Sequence, residues 1–348
     1  MTVGDNKNSM MILGRQRLLA PHWPVHLGGL GTSQEVAASV LEELCLHGID
    51  ETRRILTIDV VGNCILVAGS EAQKEAWLPA FARGEAFSAV LLSESTAGSD
   101  LAAIKTTATN NPAGWHVHGT KTWSQTSLAA DYGLCLAKTG SGSPTTSFTL
   151  FLLDLRQPGT LLRELTTIGR EAFVEVQIDA IVPDEHRIGR RGAGWTLILE
   201  ALRHERTGRE QNAKAARWLA QLLASRPEAA ESEVVLSLLS RLAIGKQLSL
   251  QLSRELGAAR RTEQFLSETE LDAASAACKH FNTKLAQDVL FESLRLLGVG
   301  ALTPYDQMKS GEVLAGGVQW LELPGLGISA GTTEIMLNTV ARSVVKND

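Results

Sequence analysis

The residues best suited to chemistry fall in a few short stretches. The segment Leu92-Ser-Glu-Ser-Thr-Ala-Gly-Ser-Asp100 follows an apolar run and ends in a turn of small residues. Ala97, Gly98 and Ser99 put little between the backbone N–H groups and an approaching ring or phosphate. The same turn chemistry also suits a plain polar turn that closes a strand. Downstream, Gly119-Thr-Lys-Thr-Trp123 supplies a tryptophan that can pack against a planar ligand or fill the core of a sheet. Glu205-Arg206 sits in a segment where Ile198, Ala201, Leu202, Glu205, Gly208, Asn212, Ala215 and Leu219 recur at three- and four-residue spacing, the signature of one helix face. Glu205 is the charged member of that stripe. A carboxylate so placed is costly to bury unless it is paired or used in acid–base work. The other reading is an ion pair with Arg209 one turn on, at a solvated edge, worth roughly 0.3 kcal/mol; Asn212 supports it, since a polar amide interrupting the stripe suggests a face that is not fully dry.

The elements that must hold these residues are legible in the spacing of apolar side chains. From Ser33 to about Ala86 the spacing is helical; from about Phe87 to Val182 it shifts to short runs such as SFTLFLLDL and VEVQIDAIV, separated by NNPAG and TGSGSPTTS, which read as strands and turns. Helical spacing returns as one long segment, Trp195 to Leu223, which stops at Ser225-Arg226-Pro227. Two further helices are expected at about Glu233 to Ala258 and Thr269 to Leu297, with a last one from Thr333. Segregated blocks of this kind predict an α+β chain with domains at 1–86, 87–186 and 187–348: helical, β and helical.

Bulk properties narrow the function classes. A chain of 348 residues with 44% hydrophobic and 20% charged residues can bury a sizeable core in two or three packed units. Its 33 basic and 38 acidic side chains, net -5, leave no footprint for nucleic acid or an anionic membrane. Cys45, Cys64, Cys135 and Cys278 are scattered, with no pair at metal-ligand or CxxC spacing, so neither a disulfide framework nor a metal centre is expected. No apolar run reaches the length of about 18 that a spanning helix needs, and the N-terminus lacks the h-region of a signal peptide; a cytoplasmic location is expected.

Together the Leu92–Asp100 turn and Gly119–Trp123 closely resemble the signature of the acyl-CoA dehydrogenase family, T/S-E-x-x-x-G-S-D followed by G-x-K-x-W. Further ordered landmarks agree: Gly28-Gly29-Leu30-Gly31, Gln73-Lys74 with Leu78-Pro79, Gly84-Glu85, Val174-Glu175-Val176, Val182-Pro183, Gly194-Trp195, Glu205-Arg206 and Gly331-Thr332-Thr333-Glu334-Ile335. The resemblance runs from about residue 20 to the C-terminus. It implies an N-terminal helical domain, a central β-barrel-like domain and a C-terminal four-helix bundle, with non-covalent FAD between the last two. Residue by residue, it implies cofactor contacts at Leu91, Ser93, Gly98, Ser99, Trp123, Gln125, Thr332 and Glu334, and substrate contacts at Ser99 and Arg206. Implied partners are an acyl-CoA, an electron-transfer flavoprotein or similar acceptor, and further subunits in a homo-oligomer or a heterotetramer with a paralogous chain.

Departures from the pattern sharpen the reading. Gln125 stands where the family offers Thr or Ser to the flavin N5 edge. No R-x-x-F-G segment appears near residues 225 to 240, and the first family helices are expected to be mostly missing. The commonest catalytic glutamate precedes the terminal Gly-Thr, a place held here by Ala330. A second group of the family carries its base on the first C-terminal helix directly before an arginine, as in Glu205-Arg206. Two functions follow: α,β-dehydrogenation of an acyl-CoA with Glu205 as base, or a non-catalytic subunit that completes a paralogous partner's site.

Overall fold

The computed structural model describes residues 3–49, 51–168, 172–259, 266–298 and 317–345. The N-terminal part is helical: α1 (Val3–Arg15), α2 (Gln34–Leu46), α3 (Glu51–Arg54), a π-helical stretch Ile55–Gly62, α4 (Asn63–Ala68) and α5 (Glu71–Ala82). Strands follow, β1 (Ser88–Leu91), β2 (Thr107–Asn111), β3 (Gly114–Gln125), β4 (Tyr132–Lys138), β5 (Phe148–Asp154), β6 (Thr160–Leu165), β7 (Phe173–Val182) and β8 (Arg187–Ile188), with the single turn of α6 (Pro144–Ser147) before β5. The C-terminal part holds α7 (Gly194–Glu205), α8 (Arg209–Ser225), α9 (Glu233–Ala259), α10 (Glu268–Leu297), α11 (Gly317–Leu326) and α12 (Thr333–Val344).

By their contacts these elements form two compact units, Met1–Thr32 with Thr52–Thr167 and Glu171–Glu205, and Ser33–Glu51 with Ile168–Arg170 and Arg206–Asp348. In the first unit the strands make one mixed sheet in the order β6-β7-β3-β2-β4-β5-β8, with β1 parallel to β4. The alternation in β7 sets its register: Val174, Val176, Ile178, Ala180 and Val182 point into the core while Gln177, Asp179 and Ile181 point outward. β4 and β5 read as continuous apolar runs because both their faces are covered. Leu134, Leu136, Leu150 and Leu152 pack with Phe81 of α5, Ile198 of α7 and Trp23 of the loop after α1. Cys135, Ala137, Phe151 and Leu153 pack on the other side with β3 and β7. Gln73 fixes the helical layer to the sheet: its side chain completes a capping box with Ser70 and donates to the carbonyls of Glu185 and Arg187 at 2.6 and 2.8 Å.

The strand runs expected at β1, β3, β4, β5 and β7 are present, and the helices at 233–259, 268–297 and from 333 fall where apolar spacing puts them. β2, β6 and α1 were not expected. β2 reads TATNN and is mostly exposed, and β6 is an edge strand with an incomplete apolar alternation, so neither carries the usual signal. The expected single helix from Trp195 to Leu223 is two. α7 ends at Glu205 and α8 begins at Arg209, because Gly208 takes φ +72, a left-handed conformation that ends the helical path. α7 packs within the first unit through Ile198, Ala201 and Leu202.

The second unit is helical throughout its named elements. α2 joins it through charge: Glu42 accepts from the buried Arg209 at 3.0 Å and from the exposed Lys246 at 2.6 Å. Lys214 lies between Glu51 at 2.8 Å and Glu210 at 2.5 Å; burial opposes its charge, but both carboxylates together raise its proton affinity well above that of an ordinary lysine. Asn212, read from sequence as a polar interruption of an apolar stripe, is buried and satisfied. Its amide donates to the Leu242 carbonyl at 3.1 Å and to Asn282 Oδ1 at 2.9 Å, and Asn282 in turn donates to Ser249 Oγ at 3.2 Å and the Cys278 carbonyl at 3.1 Å. This network fits because Gly245 lets both amides approach the α9 backbone. A Cβ there would lie 2.1 Å from Asn282 Oδ1 and 2.6 Å from Asn212 Nδ2. An unconstrained Gly→Ala change inside a helix stabilises by roughly 0.5–1 kcal/mol. Gly245→Ala should do the opposite, costing about 1–3 kcal/mol through amide groups left buried and unpaired. A lowered melting temperature checks this; an unchanged or raised one contradicts it.

Candidate functional site

Two clusters of the sequence-singled residues exist, one in each compact unit. In the first, β1 ends at Leu91 and the chain turns sharply: Glu94 and Ala97 exchange backbone hydrogen bonds of 2.9 and 3.1 Å. This turn and the end of β3 are clamped together by Glu94 and Lys121. The Glu94 carboxylate accepts from Lys121 Nζ at 3.0 Å, from the Thr106 hydroxyl at 2.6 Å, and from the amides of Lys105 and Thr106 at 2.7 and 2.9 Å. Lys121, whose side chain is 0% exposed, also donates to the Leu92 carbonyl at 3.0 Å. Burial works against ionisation of Glu94, but Lys121, the Thr106 hydroxyl and the two amides outweigh it and hold the carboxyl below the usual range. Neither partner was singled out from sequence, although both stand inside the two motifs.

The clamp positions the residues that were. The Thr122 amide donates to the Ser93 carbonyl at 2.9 Å, so Ser93 lies beside the backbone that leads into Trp123. There β3 bulges: its register against β7 shifts between Lys121 and Ser124, and Trp123 takes φ +59. A bulky residue in that conformation is strained and persists where its surroundings dictate it. The bulge swings the indole outward, 58% exposed and edge-on to Phe173 at 5.9 Å. Trp123 is therefore no core aromatic. Gly98 and Ser99 are exposed, and a Cβ built on Gly98 meets nothing within 4 Å. An open small-residue turn, clamped to a strand that presents a bare indole, fits a planar aromatic group with polar or phosphate substituents. Gln125 closes β3 half-buried, in register with Phe173. The Leu91 side chain is fully buried in the sheet core, so what it can offer a ligand is support from behind.

In the second unit the turn Ser329-Ala330-Gly331 precedes α12. Arg206 Nε donates to the Ala330 carbonyl at 2.7 Å, and the buried Lys279 Nζ donates to the carbonyls of Ser329 and Gly331 at 2.6 and 2.5 Å. Three consecutive carbonyls thus face two cationic side chains, and Ala330 is held at φ +55. Thr332 caps α12 by accepting from the Ile335 amide at 3.3 Å, and Glu334 in the first turn is lowered by its own backbone amide and by the Thr332 hydroxyl. Lys279 is a further residue that sequence reasoning missed. Glu205 forms the half-buried end of α7, and Arg209, its expected partner in the ion-pair reading, turns to Glu42.

Models of the acyl-CoA dehydrogenase N-terminal, middle and C-terminal domains match residues 5–85, 89–181 and 192–345. Among curated proteins the chain is similar to the acyl-CoA dehydrogenases FadE34 and FadE26 of Mycobacterium tuberculosis. The first is 36% identical over 54% of this chain and 27% of that protein; the second is 26% identical over 94% of this chain and 84% of that protein. Several other curated relatives are matched over about half their length. Among solved structures the Tcur3481-Tcur3483 steroid ACAD superposes with a TM-score of 0.81 at 22% identity, covering 96% of this chain and 87% of that one.

The clamp yields a prediction. Glu94→Gln leaves Lys121 buried without its anion and should cost about 3–5 kcal/mol. Because the folded-state carboxyl is depressed, its contribution is fully present above the unfolded value of about 4.3 and is lost as pH falls toward the folded value. Thermal melts should therefore separate wild type from variant widely at neutral pH and converge in acid. A constant gap across that range would show that the charge on Glu94 is not what holds the turn.

Proposed function

Since the chain belongs to the acyl-CoA dehydrogenase family and its cofactor is FAD, we propose that it catalyses α,β-dehydrogenation of an acyl-CoA thioester to the trans-2-enoyl-CoA, with Glu205 as the base. The observation that carries the proposal is the Trp123 bulge beside the Gly98 turn: a strained, exposed indole next to an open small-residue loop suits the isoalloxazine and its diphosphate arm. Ser93, Gly98, Ser99, Trp123 and Gln125 are the proposed cofactor contacts in the first unit, and Thr332 and Glu334 those in the second. Ser99 and Arg206 are the proposed substrate contacts. FAD supplies the acceptor for the hydride that leaves Cβ. The chain supplies the base that takes the Cα proton, and the fixed geometry that makes both bonds break on one aligned substrate.

Glu205 is the favoured base because Ala330 has no titratable group and its carbonyl is occupied by Arg206. The half-buried end of α7 holds the carboxylate on a helix whose preceding residues Ile198, Ala201 and Leu202 are locked in the core. Likeness to the Tcur3481-Tcur3483 steroid ACAD supports a bulky acyl group. An electron-transfer flavoprotein or similar acceptor is the proposed reoxidant.

A second reading, a non-catalytic subunit that completes a paralogous partner's site, is favoured by Ala330 and Gln125. Assembly with further chains is common to both readings. α9 supports it by exposing Leu236, Leu239, Ile244 and Leu248, each more than 40% accessible, while Val235, Leu238 and Leu242 pack into the core. Ile244→Glu combined with Leu248→Glu should shift the light-scattering mass to a smaller species; an unchanged mass would remove this face from the interface.

Glu205→Gln keeps the shape of the side chain and removes the base. Bleaching of the flavin by an acyl-CoA in single turnover should slow by roughly two to four orders of magnitude while thioester binding and flavin content persist. Undiminished bleaching rejects Glu205. Bleaching that survives here and is abolished by removing a co-purified partner's glutamate establishes the non-catalytic reading.

A further inference from the structure

The outward face of the sheet carries a feature with no part in the proposed reaction. β3 and β7 are antiparallel neighbours, with His118 directly opposite Asp179 and His116 two residues along on the same face. Strand alternation puts all three side chains on the solvent side, while Val117, Ala180 and Val182 point into the core. One ligand atom from each of His116, His118 and Asp179 lies within 4.8 Å of the others. Asp179 Oδ1 is 3.5 Å from His118 Nδ1 and 2.6 Å from His116 Nε2. Beside them runs an open groove of about 400 Å³, whose lining includes Gly119, Thr120, Gly159, Thr160 and Gln177 and contains no lysine or arginine.

We propose that His116, His118 and Asp179 form a binding site for a divalent transition-metal cation of the zinc type, held by two imidazoles and one carboxylate with the remaining coordination position open to the groove. Imidazole nitrogen with one carboxylate oxygen is a donor set that favours Zn²⁺ and its neighbours over Mg²⁺ or Ca²⁺. Tetrahedral bonds of about 2.0–2.1 Å place neighbouring ligand atoms roughly 3.4 Å apart. The His118–Asp179 separation already matches that geometry. The His116–Asp179 hydrogen bond must open by roughly 0.8 Å to reach it, a small rotation for side chains at 42% and 69% exposure. The strands fix the Cα positions, so the cation has little backbone to reorganise. Small and neutral residues in the groove leave room for water or a small ligand on the open side and place no competing cation there.

The test uses the purified flavoprotein after chelator treatment and buffer exchange, titrated with ZnCl₂ by calorimetry. Saturable binding at one ion per chain is expected, weakened by about tenfold to a hundredfold or more in His118→Ala and in Asp179→Asn. The chain has 8 histidines, so the variants are what assign the site. A Cu²⁺-loaded sample should show superhyperfine coupling to two nitrogens in its paramagnetic resonance spectrum, reduced in His116→Ala. Melting temperature and flavin content, which should match wild type, establish that the variants fold. The proposal is overturned if wild type shows no saturable zinc binding, or if folded variants bind zinc with the stoichiometry and affinity of wild type.

Discussion

The ion pair between Glu94 and Lys121 is the constraint on which the first cluster depends. A buried pair of charges adds little net stability on its own, since desolvation offsets most of the Coulomb gain. Its value here is geometric. Glu94 accepts four hydrogen bonds from three residues, and Lys121 reaches back to the Leu92 carbonyl on the strand side of the turn. The turn after β1, the start of β2 and the end of β3 consequently have one relative arrangement in which no buried donor or acceptor of the pair is left over. Small residues can then occupy the turn without its collapsing, because the carboxylate and not local packing determines its path.

That rigidity is what permits strain a few residues away. Trp123 and Thr126 both take positive φ, at a cost of order 1–3 kcal/mol each. The bulge between Lys121 and Ser124 is pinned on one side by the buried lysine. On the other, Ser124 donates to the Val90 carbonyl at 3.0 Å and meets Ser127 Oγ at 2.6 Å. An indole exposed by such a construction gives up apolar burial that an ordinary strand residue would gain, roughly 25 cal/mol per Å². On the proposed reading, a planar cofactor over Trp123 restores that term, and the fold then gains part of its stability from that ligand.

Much of this was legible in the residues. Continuous apolar runs gave β4 and β5, alternation gave β7, and helical spacing gave α9, α10 and α12, since each signal is local. The break between α7 and α8 was not legible, because Gly208 sits on the same periodic stripe as its neighbours and a glycine inside such a pattern is ordinarily tolerated. Likewise Glu94 and Lys121 lie 27 residues apart and meet only once three strands are assembled. Each stood inside its own motif with nothing in the sequence to pair it with the other. Asn212 misled in the opposite direction: as a lone amide it suggested a wet face, whereas Asn282 and Leu242 on neighbouring helices satisfy it in a dry one.

The second cluster bears on why a carboxylate at 330 is dispensable to this fold. The turn is held by its own carbonyls, through Arg206 and Lys279, and the methyl group of Ala330 contributes nothing to that hold. The left-handed backbone at 330 costs roughly 1–2 kcal/mol for any L side chain, so exchanging one for another there changes the strain little. A functional group at this position is therefore free to be present or absent without consequence for the turn. Glu205 is constrained differently. It terminates a helix whose apolar stripe sets its rotation, so the direction in which its carboxylate leaves the helix follows from the packing of Ile198, Ala201 and Leu202. On the proposed reading, the base belongs to the element whose orientation the core enforces, while the turn that lacks it serves to order Thr332 and the first turn of α12.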